Sequence, residues 1–224
     1  MDMILKNHLA LSDRILRIVE KAIMNGSIKP GERLIETELA KNLGISKSPV
    51  REALKRLEGE GVVHLVPRVG YFVNDITRRS IEDFFDVMLI LEPASAILSL
   101  KKKSEDVCTK IDEILHNMER CLRKKDQECY RALNDQFHAL FFSLTDNEWI
   151  IKISEILQKQ AFLLRSLSLY TRDRLDSSFE EHAAISNAYK KGDKKALERA
   201  VKNHLIFFRE NILQSDFLRE KLNV

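Results

Sequence analysis

Apolar residues recur at helical spacing in three consecutive segments near the start of the chain. Residues 12–25 form the first segment, and Ser12 is its candidate N-cap because a serine hydroxyl can accept a free amide of a helix start. Residues 36–44 form the second segment, with Thr37 as its candidate N-cap. The third segment begins at ISKSPV and ends near Glu60, so the pattern predicts three helices in succession.

Two short runs rich in β-branched and aromatic residues follow the third segment. They are VVHLV and GYFV, and the turn between them contains Pro67 and Arg68. Such runs on either side of a turn predict a β-hairpin. Three helices followed by a hairpin is the order of elements in a winged helix-turn-helix, which we expect in residues 1–76.

The rest of the chain shows helical periodicity without a further strand pattern. We therefore place a domain boundary near residues 74–77 and expect an all-helical bundle in residues 77–224. The fold class is mainly α, with one small β-hairpin in the N-terminal domain. The predicted helices of the bundle are residues 79–101, 105–123, 127–145, 148–173, 177–191 and 193–214.

The third predicted helix has two distinct faces at 100° per residue. A recognition helix has such faces, because its N-terminal residues meet base edges and nearby cations meet phosphates. A solvated amphipathic helix has them too, but the capped helix before it and the hairpin after it favour DNA binding. The apolar stripe consists of Val50, Ala53, Leu54 and Leu57, and the polar, cationic face consists of Lys47, Ser48, Arg51 and Lys55.

The overall charge does not by itself indicate a nucleic-acid partner. The formal net charge is +3, and residues 1–76 carry 12 Lys and Arg against 10 Asp and Glu. DNA binding must therefore depend on where the cations lie.

The chain start lacks the features of a signal peptide, and the most apolar run, VMLIL, is too short to span a bilayer. We expect a cytoplasmic protein with no membrane partner. Its three cysteines, Cys108, Cys121 and Cys129, form no C-x-x-C pair, so we expect reduced thiols.

Three histidines lie on apolar stripes of separate predicted helices: His138, His182 and His204. A single inward histidine is usually a hydrogen-bonded core residue. Three of them, with Asn134 one turn before His138, could instead converge on a divalent metal ion, and imidazole ligands suit Zn, Ni or Mn. Spacing alone leaves both interpretations open.

The sequence contains no H-E-x-x-H, G-x-S-x-G or P-loop motif, which argues against an enzyme. A metal-dependent enzyme of the helical-bundle type is the alternative from another class. A DNA-binding protein that senses metal alone and an architectural DNA binder without a pocket are further alternatives.

Residues 14–75 resemble the N-terminal domain of GntR-family bacterial transcription regulators. The resemblance lies in PGERLIETELAKNLGISKSPVREALKRLEGEGVVHLVPRVGYFV, which follows the family pattern from PG-x-x-L to the wing. It implies a homodimer that binds double-stranded, pseudo-palindromic operator DNA. The residues that it implies for DNA contact are Thr37, Ser46, Lys47, Ser48, Arg51, Arg68 and Gly70.

The motifs N-x-x-F-H, E-E-H-x-x-I and A-x-x-x-H-L resemble the FCD-type helical ligand-binding domain of the FadR branch of that family. This resemblance implies a divalent metal ion in the bundle that helps to hold a small organic acid, which controls operator affinity. Many members have Asp where this chain has Asn134. Arg165 is a candidate for binding the acid, with a surface ion pair as the alternative. The metal ligands that the resemblance implies are Asn134, His138, His182 and His204.

Overall fold

A computed structural model describes the backbone of residues 2–24, 26–167 and 172–214. Within these, it describes the side chains of residues 11–23, 26–161, 164 and 174–214. The chain divides into two compact units, Met1–Ile76 and Thr77–Val224.

The first unit contains three helices: α1 (Asp2–Met24), α2 (Glu36–Leu43) and α3 (Lys47–Gly59). Both α1 and α2 pack against α3. The predicted apolar stripe of α3, from Val50 to Leu57, is fully buried, which confirms that this face belongs to the core. Gly44 ends α2 with a φ of 67°, a left-handed conformation that suits glycine and allows the tight turn into α3.

A three-stranded antiparallel sheet completes this unit. Its strands are β1 (Arg33–Leu34), β2 (Val63–Val66) and β3 (Gly70–Val73), in the spatial order β1-β3-β2. The predicted hairpin of β2 and β3 is confirmed. Strand β1, where Leu34 lies opposite Tyr71, was not predicted, because two residues are too few for an alternating pattern.

The predicted start of α1 and the predicted N-caps of α1 and α2 are wrong. Helix α1 begins ten residues before Ser12, at Asp2, and Ser12 is fully buried inside it. Helix α2 begins at Glu36 with Ile35 at the N-cap position, so Thr37 lies in its first turn. In both places a helix former precedes the presumed cap, and the helix continues through it.

Within its described residues, the second unit contains helices joined by short turns and loops and no strand, as predicted. The helices are α4 (Arg78–Ser99), α5 (Glu105–Lys124), α6 (Gln127–Ser143), α7 (Glu148–Leu167), α8 (Arg172–Lys191) and α9 (Lys194–Leu213). Helix α4 packs against α6 and α9, α5 packs against α6 and α8, and α8 packs against α9. Arg172 and Asp173, which the sequence assigned to the preceding helix, belong to α8. A 3₁₀ turn at Leu100–Lys102 follows α4.

Helix α4 starts with a capping box immediately after the division between the units. The Thr77 hydroxyl accepts the Ser80 amide at 3.0 Å, and the Thr77 amide donates to the Ser80 hydroxyl at 2.9 Å. These two bonds satisfy amides that the first helical turn leaves without partners.

Among the described helices, none has an apolar stretch long enough to cross a membrane.

Cys121 and Cys129 form a disulfide, with Cα atoms 5.8 Å apart. The expectation of reduced thiols is wrong for this pair. Helix α5 turns back into α6 between the two cysteines, and this reversal brings together side chains that have no C-x-x-C spacing. Cys108 is a free thiol.

Candidate DNA-binding surface and metal centre

The polar, cationic face of α3 is exposed in the N-terminal half of the helix, where it forms the polar edge of the helix-turn-helix. Ser46 occupies the N-cap position of this helix, and Pro49 lies in its first turn, where the amide that proline lacks would have no helical partner. Because the apolar stripe faces α1 and α2, the side chains on the other face remain accessible. The exposed residues are Ser46, Lys47, Ser48, Arg51 and Lys55, and Thr37 in the first turn of α2 is exposed as well.

The tip of the hairpin has an unusual backbone. Arg68 is exposed and has a φ of 65°, and Gly70 has a φ of 139°. A Cβ at Gly70 would lie in ordinary contact, 3.4 Å from Arg33 Nε, so it is the positive φ that favours glycine here. Arg33 also donates a hydrogen bond to the Val69 carbonyl, which ties the tip to β1.

Arg51 makes an ion pair with Glu36, the first residue of α2. Arg51 Nε lies 3.1 Å from Glu36 Oε1 and 3.0 Å from Oε2, and Nη2 lies 2.8 Å from Oε2. These bonds raise the pKa of Arg51 above its ordinary value. Reasoning from the sequence missed Glu36, because the two residues lie on different helices and their pairing depends on the turn between them.

Three of the predicted metal ligands come together in the bundle. His138 of α6, His182 of α8 and His204 of α9 are all buried, and one ligand atom from each lies within 4.8 Å of the others. The Nε2 atoms of His138 and His182 are 3.2 Å apart. The apolar stripes therefore bring the three imidazoles to one point.

Each imidazole has a hydrogen-bond acceptor beside its Nδ1. That of His138 is the Glu92 carboxylate from α4. His182 Nδ1 lies 2.5 Å from the Ser178 carbonyl, and His204 Nδ1 lies 2.6 Å from Glu181 Oε2. An acceptor at Nδ1 places the ring proton there, so Nε2 is left with a lone pair that can bind a metal ion.

The surroundings of His182 and His204 favour the neutral form of the imidazole. Burial lowers the pKa of His182 well below its ordinary value, and protonation of His204 or His138 would lower it further. Burial likewise lowers the pKa of His204, although the hydrogen bond with Glu181 opposes that shift. Neutral imidazole is the form that binds metal, so the donor set and its hydrogen bonds fit a divalent ion.

The other predicted site residues have different surroundings. Asn134 is buried on α6 one turn before His138, and its amide nitrogen donates to Asp135 Oδ1 at 3.4 Å. Arg165 belongs to α7, but its side chain lies outside the described residues.

The acceptors beside the histidines were missed by sequence reasoning. Glu92 is 46 residues from His138 along the chain. The sequence feature that could have identified it is its position as a charged residue directly after the apolar run VMLIL. Glu181 also pairs with Arg174, whose Nη1 lies 2.8 Å from Oε1. Arg174, Glu181 and His204 therefore form a hydrogen-bonded chain that leads from the start of α8 to the cluster.

Both units match known families. The sequence model of the FCD domain matches residues 83–207, and that of the bacterial regulatory proteins of the gntR family matches residues 11–73.

Relatives of similar length also match. The chain is 31% identical over 189 residues to an uncharacterized HTH-type transcriptional regulator, YdhC, of Bacillus subtilis strain 168, a match that covers 83% of this chain and 84% of the relative. It is 29% identical over 174 residues to the gluconate operon transcriptional repressor of the same strain, covering 77% and 70%.

The solved structure of E. coli McbR/YncC has the same fold. It aligns with a TM-score of 0.76 at 21% identity, covering 91% of this chain and 97% of that one.

Proposed function

Because the chain belongs to the gntR family of bacterial regulatory proteins and carries an FCD domain, we propose how this DNA-binding transcription regulator works. Helix α3 and the wing bind operator DNA, and a small organic acid held at a metal ion in the bundle controls the affinity. The families and relatives that match are transcription regulators and not enzymes, so the enzymatic alternative is dropped. A regulator of this kind acts in the cytoplasm, where bacterial DNA lies.

The observation that carries the DNA-binding mode is the exposed polar edge at the start of α3. In a helix-turn-helix, this part of the second helix enters the major groove. Arg51 reaches base edges there, while Ser46, Lys47 and Ser48 meet the backbone and neighbouring bases. Lys47 suits a phosphate better than a base, because an ammonium group lacks the fork of a guanidinium. Arg68 and Gly70 form a wing tip that contacts the minor groove, and Thr37 contacts a phosphate.

The substitution Arg51→Ala tests this mode. It should weaken binding to the selected duplex by about 5- to 150-fold, because a bidentate arginine contact contributes about 1–3 kcal/mol of discrimination. Gel-shift titration of a duplex selected by the wild-type protein from a random pool gives the affinity, and circular dichroism checks the fold. Wild-type affinity in a folded Arg51→Ala protein would refute the role of α3.

A homodimer is supported by exposed apolar residues on two helices that pack together. Val87 and Ile90 lie one turn apart on α4, and Trp149, Ile153 and Ile156 lie at helical spacing on α7. Ile90 is 75% exposed and Trp149 is 74% exposed. Scattered apolar residues are normal on a surface, but rows on adjacent helices suggest an interface. We expect a second copy of the chain to cover these rows, because a pseudo-palindromic operator has two half-sites and each binds one DNA-binding domain.

The metal centre is supported by three buried imidazoles with one ligand atom each within 4.8 Å of the others, and by the acceptors beside their Nδ1 atoms. His138, His182 and His204 would hold the ion, and Asn134 would add an amide oxygen. A bound divalent ion acts as a Lewis acid that attracts a carboxylate or hydroxyl oxygen of a ligand. Three nitrogen ligands suit Zn, Ni or Mn.

A small organic acid is the proposed effector. One relative is named as the repressor of a gluconate operon, which supports a sugar acid or a related hydroxy acid. Arg165 remains a candidate for binding the carboxylate of this acid.

A thermal-shift screen of organic acids, with and without added zinc, identifies the chemical class of the effector. We expect an acid that raises the melting temperature more in the presence of zinc, and a screen in which no acid does so would contradict the proposal.

A further inference from the structure

Glu36 and Arg51 join the two helices of the helix-turn-helix by their side chains. Glu36 starts α2, and Arg51 lies in the second turn of α3. The contact uses three hydrogen bonds of 2.8 to 3.1 Å between the carboxylate and the guanidinium. The arginine side chain is 56% exposed and the glutamate side chain is 23% exposed, so the pair borders the DNA-binding surface proposed above, on which this inference rests.

The bonds use only one edge of the guanidinium. An arginine carries five N–H groups in a planar fork. Glu36 accepts from Nε and from one hydrogen of Nη2, which together form the side edge. In the described part of the chain, the end edge, made by Nη1 and the second hydrogen of Nη2, has no protein partner. Two parallel N–H groups on that edge match O6 and N7 of guanine in the major groove.

We propose that Glu36 is a positioning residue, which holds Arg51 so that its end edge reads a guanine. An arginine side chain in solution samples many rotamers, and a contact that fixes it beforehand reduces the freedom that is lost when DNA binds. The carboxylate also fixes the plane of the guanidinium, which sets the direction of the fork. Specificity at one base pair would then depend on a residue that touches no base.

The position of Glu36 has two simpler explanations. An acidic residue in the first turn stabilises a helix through its dipole, and an exposed ion pair adds a small stability term. Neither effect would change which base is preferred. A third possibility is that Glu36 competes with DNA for Arg51, in which case its removal would tighten binding. Base preference and affinity therefore separate the alternatives.

The experiment compares full-length wild-type protein with Glu36→Gln, Glu38→Gln and Arg51→Ala. Glu38 is exposed on the same helix, so Glu38→Gln removes the same charge without removing the contact with Arg51. The probe is the duplex that the wild-type protein selects from a random pool, together with every single base-pair variant of one half-site. Fluorescence anisotropy gives the dissociation constant for each duplex.

We expect Arg51→Ala to lose preference for one G·C pair by about fivefold or more, as for a bidentate contact. Glu36→Gln should weaken preference at that same pair by several-fold and leave the other pairs unchanged. Glu38→Gln should keep the wild-type pattern. Equal weakening on all duplexes, or tighter binding with unchanged preference, would overturn the proposal.

A double-mutant cycle keeps the test valid if Glu36→Gln changes stability. Arg51→Lys keeps the charge of the side chain but removes its fork. In that background, Glu36→Gln should cause no further loss of preference at the G·C pair, because the geometry that it sets is already absent. A loss equal to that in the wild-type background would show that the two residues act independently and would contradict the proposal.

Discussion

The Glu181 carboxylate has two partners in the bundle. Its Oε1 accepts from Arg174, and its Oε2 lies beside Nδ1 of His204. Arg174 and Glu181 are both nearly buried, so the pair is poorly screened by water. The carboxylate therefore fixes the tautomer and the ring plane of His204, and Arg174 fixes the carboxylate.

We expect Glu181→Gln to weaken metal binding by about 10–100-fold, the usual effect of losing a partner that orients a histidine ligand. The neutral amide would leave Arg174 without its charge partner and orient His204 less firmly. Competition with a chromophoric chelator measures the affinity. Glu180→Gln is the matched control, because Glu180 is the exposed neighbour and should bind metal as the wild type does.

Replacing both His138 and His204 by alanine should eliminate the bound metal, because a single imidazole would remain. Metal analysis of the purified protein after dialysis gives the stoichiometry. His116→Ala provides the control, since His116 is exposed on α5. Equal metal content in the double variant and the wild type would rule out this site.

The three clustered histidines could be predicted from the sequence, but the carboxylate partners of His138 and His204 could not. Each inward histidine lies on an apolar stripe of its own helix, and that periodicity is local information. The partner of His204, Glu181, lies 23 residues away on another helix. The pairing of Arg51 with Glu36 is of the same kind. Only the packing of the helices determines these contacts.

At the scale of elements, periodicity predicted the helices and most of their starts, but α1 and α8 begin earlier than predicted. Helix α3 was predicted because it has a complete apolar stripe and a proline that fits the first turn. Strand β1 was missed because a two-residue strand has no period and depends on pairing with β3. Ser12 and Thr37 were misassigned because either residue can lie within a helix as well as cap it.

The apolar row on α7 leads to a prediction about assembly. Ile153→Arg would place a charge in the proposed dimer interface, where its burial without a partner costs about 2–5 kcal/mol. We expect the dimer dissociation constant to rise at least tenfold in sedimentation equilibrium. Glu155→Arg introduces the same side chain on another face of α7 and should leave the dimer intact. Equal dissociation constants for the two variants would contradict the interface.

At the scale of the whole molecule, DNA binding is combined with a low net charge of +3. Local phosphate contacts must then supply the attraction, and each contact releases counterions from DNA. We expect the logarithm of the binding constant to fall steeply and linearly with the logarithm of salt concentration, with a slope of about −0.9 per phosphate contact. Anisotropy titrations over a series of KCl concentrations measure the slope, and Lys47→Ala should reduce it by about one. An unchanged affinity across the series would argue against this mode.

The capping box of Thr77 and Ser80 has a consequence for how such regulators diversify. Thr77 and Ser80, which cap helix α4, both lie after the division at Ile76. A gene fusion at the Thr77 codon would keep both capping residues of α4, whichever DNA-binding unit preceded them. We therefore expect that recombination at this single position can join one helical unit to different DNA-binding units.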